Sequence, residues 1–294
     1  MTSARAGFVL ALALFAAPAV AAPPTAPAGL KITWHPARVR IGDVAWMYVQ
    51  GVREGAVLEG AVGGRPLIFF PYAGGQAALV GFDVDTKVGE QIWRLAVISP
   101  GDPPHMAQGR VRVDRREFAI QRLSLPSRMV DLDPETERRA TAEADHLKTV
   151  YRTITPVRLW HGRFTRPVGG MEPGTGFGSR RVINGQPRAP HTGVDFAAPE
   201  GTPVVAVNDG RVAAVAEYFF PGRLVLIDHG LGLYTLYFHL RDALVTDGDR
   251  VTRGQSIGTV GATGRATGPH LHFGAQIGAA RIDPASLFEL TISD

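Results

Sequence analysis

The chain has 294 residues, no cysteine, and 31 basic against 27 acidic side chains, for a formal net charge of +4. Disulfides and cysteine-bound metals are thereby excluded, so stability must come from core burial in one or two domains of ordinary size. Charges of both signs run through both halves, which leaves no concentrated nucleic-acid footprint.

Residues 1–22 carry one early positive charge at Arg5, an apolar run from Phe8 to Ala17, and the small-residue site Ala19-Val20-Ala21. This is the pattern of a secretory signal peptide. The run is too short to span a bilayer comfortably, and no cysteine follows it for lipid attachment. A periplasmic or secreted protein with no stable membrane anchor after cleavage is expected. Residues 23–30, rich in Pro and Ala, read as a flexible lead-in.

Over residues 31–120, short apolar stretches such as 44–49 and 92–97 are separated by Gly, Pro and Asp, which predicts the strands of a β-sandwich-like domain. Residues 121–162 read as a linker with a helix. Asp133-Pro134-Glu135 offers a capping side chain, a proline at the first helical position and an acid in the first turn. Ala140, Ala144, Leu147 and Tyr151 then form an apolar stripe at helical spacing, suited to packing on a neighbouring domain. Residues 163–294 return to strand patterns at 203–207, 211–216, 224–227, 233–240, 256–260 and 270–277. Turns fall at Asn208-Asp209-Gly210, His229-Gly230 and Asp247-Gly248-Asp249. The fold class is mainly β: a sandwich-like N-terminal domain, a helical connector and a C-terminal antiparallel β-groove domain.

Three stretches of the last third concentrate reactive side chains: Pro190-His191-Thr192-Gly193-Val194-Asp195, Tyr237-Phe238-His239 and Pro269-His270-Leu271-His272. Imidazole nitrogen and carboxylate oxygen are zinc ligands, and a catalytic site uses three of them, leaving the fourth position open. In a strand His270 and His272 share one face and Leu271 the other. The same alternation puts Thr235, Tyr237 and His239 toward a groove, and Tyr234, Leu236, Phe238 and Leu240 toward a core. His191 and Asp195 would lie about 13 Å apart in a straight strand, so the chain must bend between them. Gly193 permits the bend, and Pro190 argues against a helix. Taken singly, each histidine reads as a hydrogen-bonded structural residue. His35, His105, His146 and His161 keep that reading, as does His229 beside a turn, and Phe219 and Phe220 read as core or groove wall, core being the first reading.

Over about 177–284 the chain resembles the lysostaphin/LytM-type zinc metallopeptidases, which cut peptidoglycan peptides. The resemblance is carried by His191-Thr192-Gly193-Val194-Asp195-Phe196-Ala197-Ala198-Pro199, by Leu236-Tyr237-Phe238-His239-Leu240, and by Thr263-Gly264-Arg265-Ala266-Thr267-Gly268-Pro269-His270-Leu271-His272-Phe273. It implies one zinc per chain held by His191, Asp195 and His272, with His239 and His270 as catalytic residues that face water and substrate without binding metal. His270 would orient or deprotonate the water and His239 would assist the oxyanion or the leaving group, roles open to interchange. The implied reaction is hydrolysis of peptidoglycan peptides by metal-activated water, with the D-Ala to diamino-acid cross-link as the expected bond.

Two alternatives stand beside it: a glycine-bridge endopeptidase, and a wall-binding or hydrolase-activating protein with little activity. The second should have lost ligands, and none is missing. Some members of that family place a tyrosine shortly before the first ligand, but residues 185–190 contain none. Asn184 is the nearest polar candidate for the oxyanion, and Arg181 is placed to meet a substrate carboxylate. A lipoyl-type carrier reading of the β-pattern fails, because no lysine follows Lys148.

Overall fold

The computed structural model describes residues 29–174 and 176–292. The expected signal peptide and residues 23–28 of the lead-in lie outside the described residues. Nine strands come first: β1 (Lys31–His35), β2 (Val39–Arg40), β3 (Val44–Gln50), β4 (Val57–Val62), β5 (Arg65–Pro66), β6 (Phe69–Tyr72), β7 (Gly75–Gly81), β8 (Gly89–Ile98) and β9 (His105–Asp114). They form two sheets, ordered β1-β3-β7-β6 and β2-β9-β8-β4-β5. Ala45, Met47, Val49, Leu58, Leu95 and Val111 fill the space between them.

β3 is buried along nearly its whole length, not on alternate residues. Its second face does not meet water. Val44, Trp46 and Tyr48 join Phe70, Leu79, Trp160, Leu233, Phe273 and Ile282 in a separate cluster shared with the C-terminal part of the chain. The first sheet is therefore a middle layer with a core on each side. Each large side chain buried there contributes about 2 kcal/mol, so separating the two halves would expose a costly apolar face. Polar contacts fix the same seam: Arg116 Nη2 reaches Asp283 Oδ2 at 2.6 Å and Arg281 Nη2 reaches Asp83 Oδ1 at 3.2 Å.

After the sandwich, β10 (Ile120–Leu123) leaves the first unit, and α1 (Pro134–Arg152) follows it. Asp133 caps α1 as the sequence predicts, its side chain accepting from the Glu135 and Thr136 backbone N–H groups. Leu147, Val150 and Tyr151 pack on Ala214, Leu224 and Leu226, the docking expected of the apolar stripe. Glu143 Oε2 also accepts from Phe219 N at 2.7 Å, which ties the helix to the edge of the groove described below.

The remaining strands are β11 (Arg180–Ile183), β12 (Gln186–Pro187), β13 (Gly193–Phe196), β14 (Pro203–Val205), β15 (Gly210–Tyr218), β16 (Gly222–Asp228), β17 (Leu233–Ala243), β18 (Arg250–Val251), β19 (Ser256–Val260), β20 (Leu271–Ile277) and β21 (Ala280–Ile282), before the short helix α2 (Pro284–Phe288). The main sheet runs β13-β20-β17-β16-β15-β18, with β19 joining β14 to β17 and β21 flanking β20. β10, from the stretch read as a linker, pairs in parallel with β11. The fold is mainly β, as the sequence predicts. Among the described residues no helix is long and apolar enough to cross a membrane.

Candidate metal centre

Strand register builds the centre. Asp195 on β13 lies directly opposite His272 on β20, and His272 lies opposite Phe238 on β17. Directly opposed residues share a face. His272 thus has a carboxylate on one side and an aromatic ring on the other: its Nδ1 is 2.9 Å from Asp195 Oδ1, and its ring stacks on Phe238 at 5.4 Å. His191 comes from the loop before β13, held by Ser179 O on its N–H and by Gly178 N on its carbonyl. Its Nε2 lies 2.8 Å from His272 Nδ1 and 3.2 Å from Asp195 Oδ1.

Gly193 makes this approach possible in a way the sequence did not signal. It is not among the residues with positive φ. A Cβ there would lie 2.5 Å from Phe273 O and 2.7 Å from Cε1 and Nε2 of His272, so the glycine is needed for the close approach of β20 and not for a left-handed backbone.

The three donor atoms fit a metal. Bonds of about 2.0–2.1 Å to a tetrahedral ion require ligands about 3.3–3.4 Å apart, close to the observed triangle of 2.8, 2.9 and 3.2 Å. Protons satisfy the same triangle poorly, because His272 Nδ1 cannot both donate to the carboxylate and accept from His191. Burial pushes the Asp195 carboxyl up, but hydrogen bonds from His191 and His272 outweigh it and hold the group well below the usual carboxylate range. Burial drives His272 down to about 4 against the opposing pull of Asp195. Both shifts favour the deprotonated donors that metal binding requires.

His239 and His270 stand beside this triangle, their ring centroids 4.8 Å apart. Each is pinned through Nδ1, which donates to Thr263 O in His239 and to Gly268 O in His270, both at 2.8 Å. Nε2 is therefore the nitrogen that each ring turns to the cavity. Burial, reinforced by the charges of His272 and His270, lowers His239 to about 3 and keeps it neutral.

The alternation expected along β17 is inverted at Thr235, Tyr237 and Phe238, while His239 lines the groove and Leu240 lies in the core as expected. Thr235 and Tyr237 are fully buried in a polar network in which His229 Nε2 contacts Thr235 Oγ1 and the Tyr237 hydroxyl accepts from Val207 N. Phe238 instead lines the groove. His239 reaches the groove because its backbone leaves the strand conformation, with φ at +63°. That left-handed step is uncommon outside glycine and re-aims the side chain.

The cavity holding these residues has a volume of about 520 Å³. Gln121, Leu123 and Leu125 form part of one wall, together with Arg181 on the paired strand; Phe220 and Arg265 also line it. Of the two readings of Phe220, core or groove wall, the structure favours the groove wall. Asn184 is committed elsewhere: its side chain accepts from Leu125 N and donates to Leu125 O. His35 stacks on Trp46, His146 contacts the Tyr218 hydroxyl, and the His161 backbone donates to Asn208. His105 lies exposed on β9. Among the described residues, His191, Asp195 and His272 form the one group of three or more His or acidic residues placed to hold a metal ion.

The model of peptidase family M23 matches residues 189–284, which contain all five of these side chains. The crystal structure of a Pseudomonas aeruginosa protein assigned to peptidase M23 superposes with a TM-score of 0.67 at 30% identity, covering 85% of this chain and 95% of that one. The chain belongs to peptidase family M23. The likeness to the Pseudomonas M23 protein extends well beyond the matched segment, into the sandwich and connector. Among curated M23 relatives, the peptidoglycan DD-endopeptidase ShyA of Vibrio cholerae is 51% identical over 85 residues, 29% of this chain and 20% of that protein. The DD-carboxypeptidase/endopeptidase Mpg of Neisseria meningitidis is 44% identical over 108 residues, 35% of this chain and 25% of that protein. The chain thus spans a quarter or less of the length of these two relatives.

Proposed function

We propose that this M23 protein is a zinc-dependent endopeptidase acting outside the cytoplasm on peptidoglycan, with the D-Ala to diamino-acid cross-link as its preferred bond. The observation that carries the reading is the convergence of His191, Asp195 and His272 on one point, with the free Nε2 atoms of His239 and His270 beside it in an open groove. The DD-endopeptidase names of the Vibrio and Neisseria relatives support the choice of bond. The domain division that accompanies it is a sandwich over 31–120, a connector over 121–162 and the metallopeptidase unit over 163–294.

His191, Asp195 and His272 would hold the zinc, which when bound would supply Lewis acidity toward a peptide carbonyl and toward water. His270 receives a proton from that water at Nε2, since its Nδ1 proton is committed to Gly268 O. His239, neutral and desolvated, is unsuited to hold a standing positive charge for an oxyanion. Its Nε2 accepts a hydrogen bond from the water or the substrate amide and becomes a donor only after taking up a proton. Phe238 under His272 excludes water from the floor and fixes the ring.

Mass spectrometry of fragments released from purified cross-linked peptidoglycan tests the proposal, with chelator and zinc restoration as the two controls. New D-Ala termini that vanish with chelator and return with zinc are expected. Intact cross-links in a zinc-loaded preparation would refute the enzyme reading.

A further inference from the structure

Arg181 and Arg265 line the groove together with the metal-binding side chains, and both also line a second cavity that continues the groove beneath α1. Several arginines near these elements are paired: Arg139 with Glu143, Arg223 with Glu217, Arg241 with Asp242. Arg181 and Arg265 differ. Among the described residues neither has a carboxylate within the 4.0 Å of a salt bridge, although both are half-buried. Arg181 Nε is 3.2 Å from Gln121 Oε1, an interaction that leaves its two Nη groups to the groove. The Arg265 guanidinium lies 4.1 Å over the Phe220 ring, which fixes its plane and leaves its edge N–H groups free.

The surroundings sharpen the imbalance. Arg188 lines the second cavity beside them, at 3.9 Å from Asp131 and 2.7 Å from the Gln186 amide oxygen. Burial and the charges of Arg181 and Arg188 press against the charge on Arg265. Asp195, the carboxylate that acts on Arg181, is already engaged by two histidines. Across the second cavity, α1 presents Glu137 and Asp145, and Asp145 is taken by Lys148. Glu137 faces the same cavity, but no salt bridge joins it to either arginine, and positioned guanidinium groups with no paired carboxylate, next to the candidate metal centre, fit a bidentate carboxylate.

We propose that Arg181 and Arg265 form a carboxylate seat in the groove, which selects an acidic peptide strand over a neutral one such as an oligoglycine bridge. The inference rests on the endopeptidase reading above and adds the substrate class to it. A stem peptide with free α-carboxylates offers the ligand; a run of glycines in mid-chain does not.

The test measures binding to the full zinc-loaded chain by fluorescence anisotropy at low salt, where charge pairing is least screened. The probes are a labelled cross-linked stem peptide with free carboxylates, the same peptide with those carboxylates amidated, and pentaglycine blocked at both termini. Amidation is expected to weaken binding about tenfold or more, equivalent to one charge-assisted pair. Arg181→Gln and Arg265→Gln should each bring the two stem peptides within about twofold of each other, and Arg265→Lys should retain part of the preference. Equal binding of the free and amidated peptides to the unaltered chain, or no binding of either, overturns the proposal. So does a preference that survives both Gln substitutions. The unaltered chain decides the matter even if a variant fails to fold. Persistent carboxylate preference without chelator-sensitive cleavage would leave the seat standing and remove the endopeptidase; cleavage with equal binding would do the reverse.

Discussion

The groove holds two pairs of histidines whose surroundings give them opposite uses. His191 and His272 turn ring nitrogens toward each other and toward one carboxylate, so their lone pairs converge on a point that could hold a cation. His239 and His270 have Nδ1 tied to backbone carbonyls, so each offers one separate nitrogen to whatever enters the cavity. The lesson is that the residue type alone does not assign the role. The partner of the second nitrogen does, and the backbone supplies that partner.

The largest effect should come from breaking the converging pair. His272→Ala or Asp195→Ala should reduce turnover by about three orders of magnitude or more, because the ion and its chemistry are lost together. A steady-state assay on cross-linked peptide checks this. Removing a separate nitrogen should be milder: His270→Ala is expected to lower kcat by about 10²–10⁴-fold, the usual range for a general base.

A buried histidine outside both pairs supplies a thermodynamic contrast. His229, fully buried between Asp209 O and the Thr235 hydroxyl, is lowered by burial to about 4. Above the unfolded value of about 6.5 it is neutral in both states and the folded form carries no penalty. As pH falls below 6.5 the unfolded chain takes up a proton that the folded chain refuses, so stability drops until about pH 4. Denaturant titrations of the zinc-free chain should show stability lost across that window, with His239 and His272, also lowered by burial, adding to the loss, and His229→Gln should remove a share of roughly 3 kcal/mol.

Gly193→Ala would sharpen the comparison without replacing a ligand. Its methyl would press on the His272 ring, and zinc affinity should fall about tenfold, comparable to disturbing an outer-shell partner. Competition with a chromophoric chelator measures this. The smallest structural effect is expected from His239→Asn, because asparagine tolerates φ near +60°. It should unfold within about 1 kcal/mol of the parent, whereas His239→Val should lose roughly 1–3 kcal/mol more.

How much of this was legible in the sequence follows from the range of each signal. His-x-x-x-Asp and His-x-His are local spacings, so the five side chains and the sharing of a face by His270 and His272 could be read directly. The inversion along β17 could not, since one left-handed residue at His239 breaks the period of two on which the face assignment rests. The wall formed by Leu123 and Leu125 was equally hidden: β10 reaches the groove by parallel pairing with β11, which is distant in sequence, and nothing local announces such a partner. The apolar run of β3 announced a strand but not its two cores, because continuous hydrophobicity does not say what lies on either side.

Zinc content and turnover, measured side by side on the unaltered chain, His272→Ala and His270→Ala, test the division of labour most directly. The account predicts about one zinc per chain in the unaltered protein and in His270→Ala, none in His272→Ala, and turnover in the first alone. Equal zinc loss in both variants, or full turnover in His270→Ala, would contradict it.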